Sequence, residues 1–127
     1  MPAQLNHTIV WCSDNRRSAA FIADILGRPE PRTFSHFQVV ELDNGVSLDF
    51  LAKEGPVAPQ HYAFLVDEAG FDAGMALIEA RGLPHWADPA RTKAGEINRH
   101  WGGRGVYFED PDGHLLELAT PGLWAIY

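Results

Sequence analysis

The chain has little cysteine, a shortage of cations and no long apolar run, and each of these removes a class of protein. One cysteine, Cys12, among 127 residues excludes an internal disulfide framework and any cysteine-rich zinc site. It sits in an apolar run, where a thiol ordinarily serves as a small buried hydrophobe. Ten Lys and Arg stand against 17 Asp and Glu, a formal net charge of −7. Nucleic acid and anionic membrane surfaces are poor partners for such a chain, because proteins that bind them present basic faces. No apolar stretch approaches the length of a membrane span, and the start, Met1-Pro-Ala-Gln-Leu-Asn-His7, has neither the basic nor the apolar region of a secretory leader. These features lead us to expect a cytoplasmic protein that uses neither membrane nor nucleic acid.

What is present is an ordinary globular composition, 46% apolar and 21% charged, at the length of one domain. Leu5 to Cys12 is rich in β-branched and aromatic residues and reads as a strand. Ser13 and Asp14 can cap a helix with Phe21, Ile22, Ile25 and Leu26 on one face, closed by Gly27 with Pro29 beyond. A hairpin follows, His36 to Leu42 and Val46 to Leu51, turned by Asp43-Asn44-Gly45, with a short extra strand expected near 31–34. The pattern then repeats. Gln60 to Val66 is a strand, Asp67 or Glu68 caps a helix carrying Phe71, Met75 and Ile78, Gly82 ends it before Pro84, and Gly105 to Leu118 forms a hairpin around Asp110-Pro-Asp-Gly113.

The offsets make this repeat checkable. His7 precedes Gly27 by twenty residues and His61 precedes Gly82 by twenty-one, while Asp49 and Glu117 each follow their turn glycine, Gly45 or Gly113, by four. Each half therefore carries a His on its first strand and a carboxylate on its last. A lone His in an apolar strand is more often a packed core residue, but matched His and carboxylate positions are donors for a divalent cation. A charge at Glu117 within Leu-Leu-Glu-Leu-Ala also needs a partner or a metal. The halves differ by an insertion, 86–101, without strand or helix period, which reads as a lid or substrate-contacting loop or as an exposed excursion. Its Arg91, Lys93, Arg99 and the following Arg104 form the one basic stretch of an acidic chain. His114 and His36 read as ordinary strand-edge residues and His85 as a loop residue.

A His opening each βαβββ module, a Glu on the last strand and the Tyr107-Phe-x-Asp110-Pro-Asp-Gly113-x-x-x-Glu117 hairpin resemble the vicinal oxygen chelate superfamily. That group includes glyoxalase I, methylmalonyl-CoA epimerase, extradiol dioxygenases, fosfomycin-resistance transferases and bleomycin-resistance proteins. The resemblance covers roughly residues 5 to 120 and implies an α+β fold. Its two modules, approximately 5–53 and 59–120, would form a cup-shaped mixed-sheet barrel with helices outside. Asn98-x-His100, Val106-Tyr107, Asp110-Pro-x-Gly113 and Glu117 are most similar to the extradiol pattern. By that resemblance His7, His61 and Glu117 hold Fe(II) or Mn(II), with Zn(II) or Ni(II) as alternatives. His100 and Tyr107 would then contact a catecholic substrate or the oxygen-derived species.

The chain departs from that pattern in lacking an acid/base His on the Val46 to Leu51 strand, where Asp49 stands nearest, and in being half the length of many such dioxygenases. Glyoxalase and epimerase relatives place a fourth ligand, Glu or Gln, where this chain has Asp49, so Asp49 can be a ligand, a base through water or a polar strand residue. The resemblance also implies a homodimer whose modules complete each site across chains, with the C-terminal Trp124 to Tyr127 packing across the interface or sealing the barrel. The leading expectation is a metal-dependent enzyme on a small molecule with vicinal oxygens, dioxygenase-like first and glyoxalase- or epimerase-like second. The rival is a metal-free protein that sequesters an antibiotic.

Overall fold

Helix punctuation sets the frame of each half. Asp14 accepts the N–H of Arg17 at the head of α1 (Asn15–Leu26), and Asp67 accepts that of Gly70 at the head of α2 (Glu68–Ala80). Both helices end through a glycine in the left-handed region, Gly27 at φ 63° and Gly82 at φ 63°. Arg28 N–H then reaches back to the Ala23 carbonyl and Leu83 N–H to that of Ile78, closing the last turn as only a residue without Cβ does at low cost.

The structure is a computed structural model that describes residues 1–122; residues 123–127, and with them the expected packing of Trp124 to Tyr127, lie outside the described residues. The chain divides into two units, Met1–Ala58 and a second beginning at Pro59. In the first, β1 (His7–Cys12), α1, β2 (Arg32–Phe34), β3 (Phe37–Glu41) and β4 (Ser47–Ala52) give a sheet ordered β1-β4-β3-β2. In the second, β5 (His61–Leu65), α2, β6 (His85–Trp86), β7 (Gly105–Glu109) and β8 (Leu115–Ala119) give the order β5-β8-β7-β6. The βαβββ order thus appears twice in an α+β chain. Each unit has a parallel pair, β1 with β4 or β5 with β8, and its other pairs are antiparallel.

Strand alternation divides each sheet into two faces. In the first unit Val10, Cys12, Val40, Leu48 and Phe50 are buried on the face toward α1, and Cys12 is the buried hydrophobe its setting suggested. In the second, Phe64, Val106, Phe108, Leu116 and Leu118 are buried together with Phe71 and Ile78 of α2. The opposite faces carry the histidines and carboxylates, and the register places them as diagonal neighbours. His7 lies opposite Ser47 and Ile9 opposite Asp49; His61 lies opposite Leu115 and Ala63 opposite Glu117. No helix among the described residues is long and apolar enough to cross a membrane.

The insertion is more structured than its composition suggests. β6 pairs with β7, Trp86 bridges Ala94 and Asn98 bridges Gly105, and His100–Gly102 form one 3-10 turn. Asp88 holds the loop by accepting the Thr92 hydroxyl at 2.6 Å and the Lys93 N–H at 2.9 Å. These bonds span four or five residues and involve no hydrophobic period, so periodicity could not reveal them.

Candidate metal centre

Glu117 lies mid-strand on β8 with Tyr107 of β7 directly opposite and His61 diagonal across β5. Its Oε1 is 3.3 Å from Nε2 of His61. The other ring nitrogen of His61 lies 3.0 Å from the Leu115 carbonyl, an acceptor only, so Nδ1 carries the proton and donates it. When the ring is neutral, Nε2 presents a lone pair toward a carboxylate oxygen. Two acceptors facing each other need a proton or a cation between them. Donors about 2.1 Å from one shared ion stand roughly 3.0–3.4 Å apart, and the observed 3.3 Å falls in that range. A backbone carbonyl on the second ring nitrogen is also the usual outer partner of a ligating His. The pair therefore fits a divalent cation.

Tyr107 stands beside this pair. Its ring stacks beside that of His61, with centroids 6.1 Å apart and planes at 27°. Burial, the Glu117 charge and a hydrogen bond to Glu117 all push the phenol above its ordinary range, burial most. Tyr107 consequently keeps its proton at neutral pH and acts as a donor.

The first unit carries the equivalent positions. Nδ1 of His7 lies 2.7 Å from the side-chain oxygen of Asn6, so His7 too is left with Nε2 as its available donor atom. Asp49 accepts the Ser47 hydroxyl at 2.8 Å. Both residues line a groove of about 350 Å³ walled by Ile9, Phe34, Phe37 and Val39, with Arg32 at its edge tied to Glu41 at 3.0 Å. The second unit thus brings two donors to 3.3 Å and the first places two on one groove, and among the described residues no three His, Cys, Asp or Glu side chains form a group that could hold a metal ion.

His100 sits on the exposed 3-10 turn ahead of β7, where its backbone N–H bonds the Asn98 side chain at 3.3 Å. Asn98 itself is structural: its amide donates to the Ala87 carbonyl at 2.8 Å, and a Cβ on Gly105 would stand 2.9 Å from it. Two cations of the basic stretch are already engaged. Arg91 pairs with Glu109 and lies over Trp86; Arg104 pairs with Glu68 and Asp72 over Phe71. His114, read as an ordinary strand-edge residue, is 1% exposed and accepts the Gln60 N–H at 2.9 Å. The signal that could have found it is the repeat, which sets His114 against Val46.

Residues 4–118 match the family model of the Glyoxalase/Bleomycin resistance protein/Dioxygenase superfamily. The solved structure of Oxidase ChaP-H1 is 55% identical, with a TM-score of 0.93 over 96% of this chain and 98% of that one. Oxidase ChaP-H2 is 53% identical, with a TM-score of 0.92 over 95% of each chain. Glutathione transferase FosA of Serratia marcescens is 31% identical over 98% of this chain and 86% of its own length.

Proposed function

This chain belongs to the Glyoxalase/Bleomycin resistance protein/Dioxygenase superfamily, and from that premise we propose that it is a divalent-metal-dependent oxidoreductase acting on a small molecule with vicinal oxygens, most like an extradiol dioxygenase of catechols. The observation that carries this reading is the convergence of the His61 Nε2 lone pair and Glu117 at 3.3 Å, with Nδ1 locked on Leu115. The high identity to chains named oxidases favours oxidation over the other chemistries of the scaffold.

His61 and Glu117 hold the ion, and His7 of a first unit supplies the third donor. Fe(II) or Mn(II) suits two imidazoles and a carboxylate, and Zn(II) or Ni(II) suits them nearly as well. A metal held there would supply Lewis acidity toward a diol and dioxygen. Tyr107, protonated and beside Glu117, donates a hydrogen bond to a substrate oxygen as negative charge builds there. His100, on the turn before β7, exchanges protons at the substrate, the role for which strand β4 offers only Asp49. The groove beside His7, walled by Ile9, Phe34 and Phe37, accepts a flat apolar ring.

The protein works as a homodimer in which the first unit of one copy and the second unit of the other complete each site. Large apolar side chains on the donor-bearing faces support this: Ile9 is 39% exposed, Trp11 44% and Leu65 59%. A glyoxalase- or epimerase-type lyase or isomerase is the second reading, favoured by Asp49 in the position matching Glu117 and by the likeness to a glutathione transferase.

Elemental analysis together with oxygen uptake tests both. The Fe(II)-loaded protein should consume oxygen with a catechol and form a yellow ring-cleavage product. Turnover of a hemithioacetal under Zn(II) or Ni(II) would select the second reading, and failure to retain any of the four metals would remove both.

A further inference from the structure

We propose that His114 is a positioning residue for the ligand pair: its buried imidazole adds one rung to the β5–β8 ladder and so sets where His61 stands relative to Glu117. This rests on the reading that His61 and Glu117 hold the ion. The last regular rung of that ladder is the Leu115 N–H on the Gln60 carbonyl, at 2.9 Å. In a parallel pair the residue that accepts from 115 sends its own N–H to the carbonyl of 113. Gly113 is in the left-handed region at φ 88°, where the turn closes, and the Gln60 N–H goes instead to Nδ1 of His114 at 2.9 Å. The side chain replaces the missing main-chain acceptor.

The ring is held firmly enough to do this. His114 is 1% exposed, its N–H donates to Asp110 Oδ1 at 2.8 Å, and its carbonyl accepts the Asp110 N–H at 3.0 Å. Its ring meets that of Tyr62 edge-on, with centroids 5.6 Å apart and planes at 84°. Because Nδ1 accepts, the proton of the neutral ring is on Nε2.

The first unit shows what the arrangement does. By the turn-glycine offsets, Val46 stands where His114 does and Asn6 where Gln60 does, and the Ser47 N–H on the Asn6 carbonyl at 3.1 Å repeats the last regular rung. Val46 has no acceptor to add. There the histidine is oriented from its own strand, by the Asn6 side chain at 2.7 Å. In the second unit His61 is oriented from the neighbouring strand, by the carbonyl of Leu115, the residue after His114. The ring of His61 is therefore only as well placed as the main chain at 60–61 is against that at 114–115, and His114 ties those two segments together. An imidazole that merely filled the core would need no acceptor at that position.

Three variants separate the roles. His114→Asn keeps an acceptor oxygen at the Nδ1 position, His114→Val installs the residue of the first unit, and Gln60→Pro removes the donor while leaving the ring in place. Each is followed by Mn(II) titration, by the 15N shifts of the His61 ring in chelator-treated protein, and by thermal midpoint. We expect His114→Asn to match the parent in affinity and shifts. His114→Val and Gln60→Pro should lose about tenfold in Mn(II) affinity, the lower end of what an outer partner contributes, with the His61 shifts moving toward a mixture of tautomers. Unchanged affinity and shifts in His114→Val, even with a lower midpoint, would overturn the proposal in favour of packing alone. If that variant fails to fold, Gln60→Pro decides by the same two readouts. If the parent itself takes up no Mn(II), the metal reading fails separately, and the His61 shifts still decide whether His114 positions the ring.

Discussion

Asp49 and Glu117 hold the same place in their two sheets, each opposite the residue two beyond its strand's histidine, Ile9 in one case and Ala63 in the other. Their surroundings differ. Asp49 is shorter by one methylene and accepts the Ser47 hydroxyl at 2.8 Å, while Glu117 is buried and lies 3.3 Å from His61. Position 47 is a serine where 115 is a leucine, so Asp49 takes a hydroxyl from its own strand while Glu117 takes that of Tyr107 on the neighbouring one.

From that difference we expect Glu117→Gln to cost at least about a hundredfold in Mn(II) affinity, beyond the usual loss of an outer partner. Asp49→Asn should leave affinity nearly unchanged and lower turnover instead. Calorimetric titration of both variants is the measurement. Equal losses would place Asp49 in the ligand set and move the protein toward the glyoxalase pattern.

Tyr107 gives a pH prediction. Burial, then the charge and hydrogen bond of Glu117, raise its pKa above the ordinary 10.0, so the phenol stays protonated well past neutral pH. In chelator-treated protein, ultraviolet difference titration should find its ionisation above 10.0, and Glu117→Gln should lower it without removing the part due to burial. Tyr107→Phe should retain metal and lose roughly a hundredfold or more in turnover, the scale of a positioned proton donor. An unchanged rate would take Tyr107 out of the chemistry.

The insertion should loosen in acid. The hydrogen bond from the Thr92 hydroxyl is the largest cause holding Asp88 below its ordinary 3.8, helped by the N–H groups of Lys93 and Thr92. A carboxylate whose pKa is depressed on folding stabilises the folded loop above its unfolded value. That support is lost as pH falls below 3.8 toward the folded value. Carbon NMR of the Asp88 carboxyl should give a midpoint under 3.8, and Thr92→Val should raise it. A parent midpoint at or above 3.8 would mean the loop is not held this way.

The exposed Trp11 tests the dimer. A charge on the face that carries His7 and Ile9 should leave each copy folded and separate them, so sedimentation of Trp11→Glu should show a lighter species than the parent. On the proposed arrangement, with the site completed between copies, Mn(II) binding should fall with dissociation. A monomeric variant with parental Mn(II) affinity would show that one chain holds the ion alone.

Much of this architecture was legible before the structure. Cap residues, left-handed glycines and alternating strands act over a few residues, and Asp14, Gly27, Asp67 and Gly82 stand where those local rules put them. The insertion was harder to read, since Asp88 organises it through hydrogen bonds that leave no periodic trace. His114 was harder still. On sequence it is one more polar residue after a turn, and its importance comes from a main-chain N–H that lies 54 positions away.

The repeat by itself determined two equivalent halves and the candidate donors His7, His61, Asp49 and Glu117, because matched punctuation implies matched strands and strands alternate strictly. The tertiary structure alone decided which ring nitrogen each histidine keeps available, that Glu117 rather than Asp49 stands within reach of a histidine, and that His114 completes the ladder. Those outcomes depend on register between strands far apart in the chain, and distances of a few tenths of an ångström across a ladder are set by packing, not by residue order.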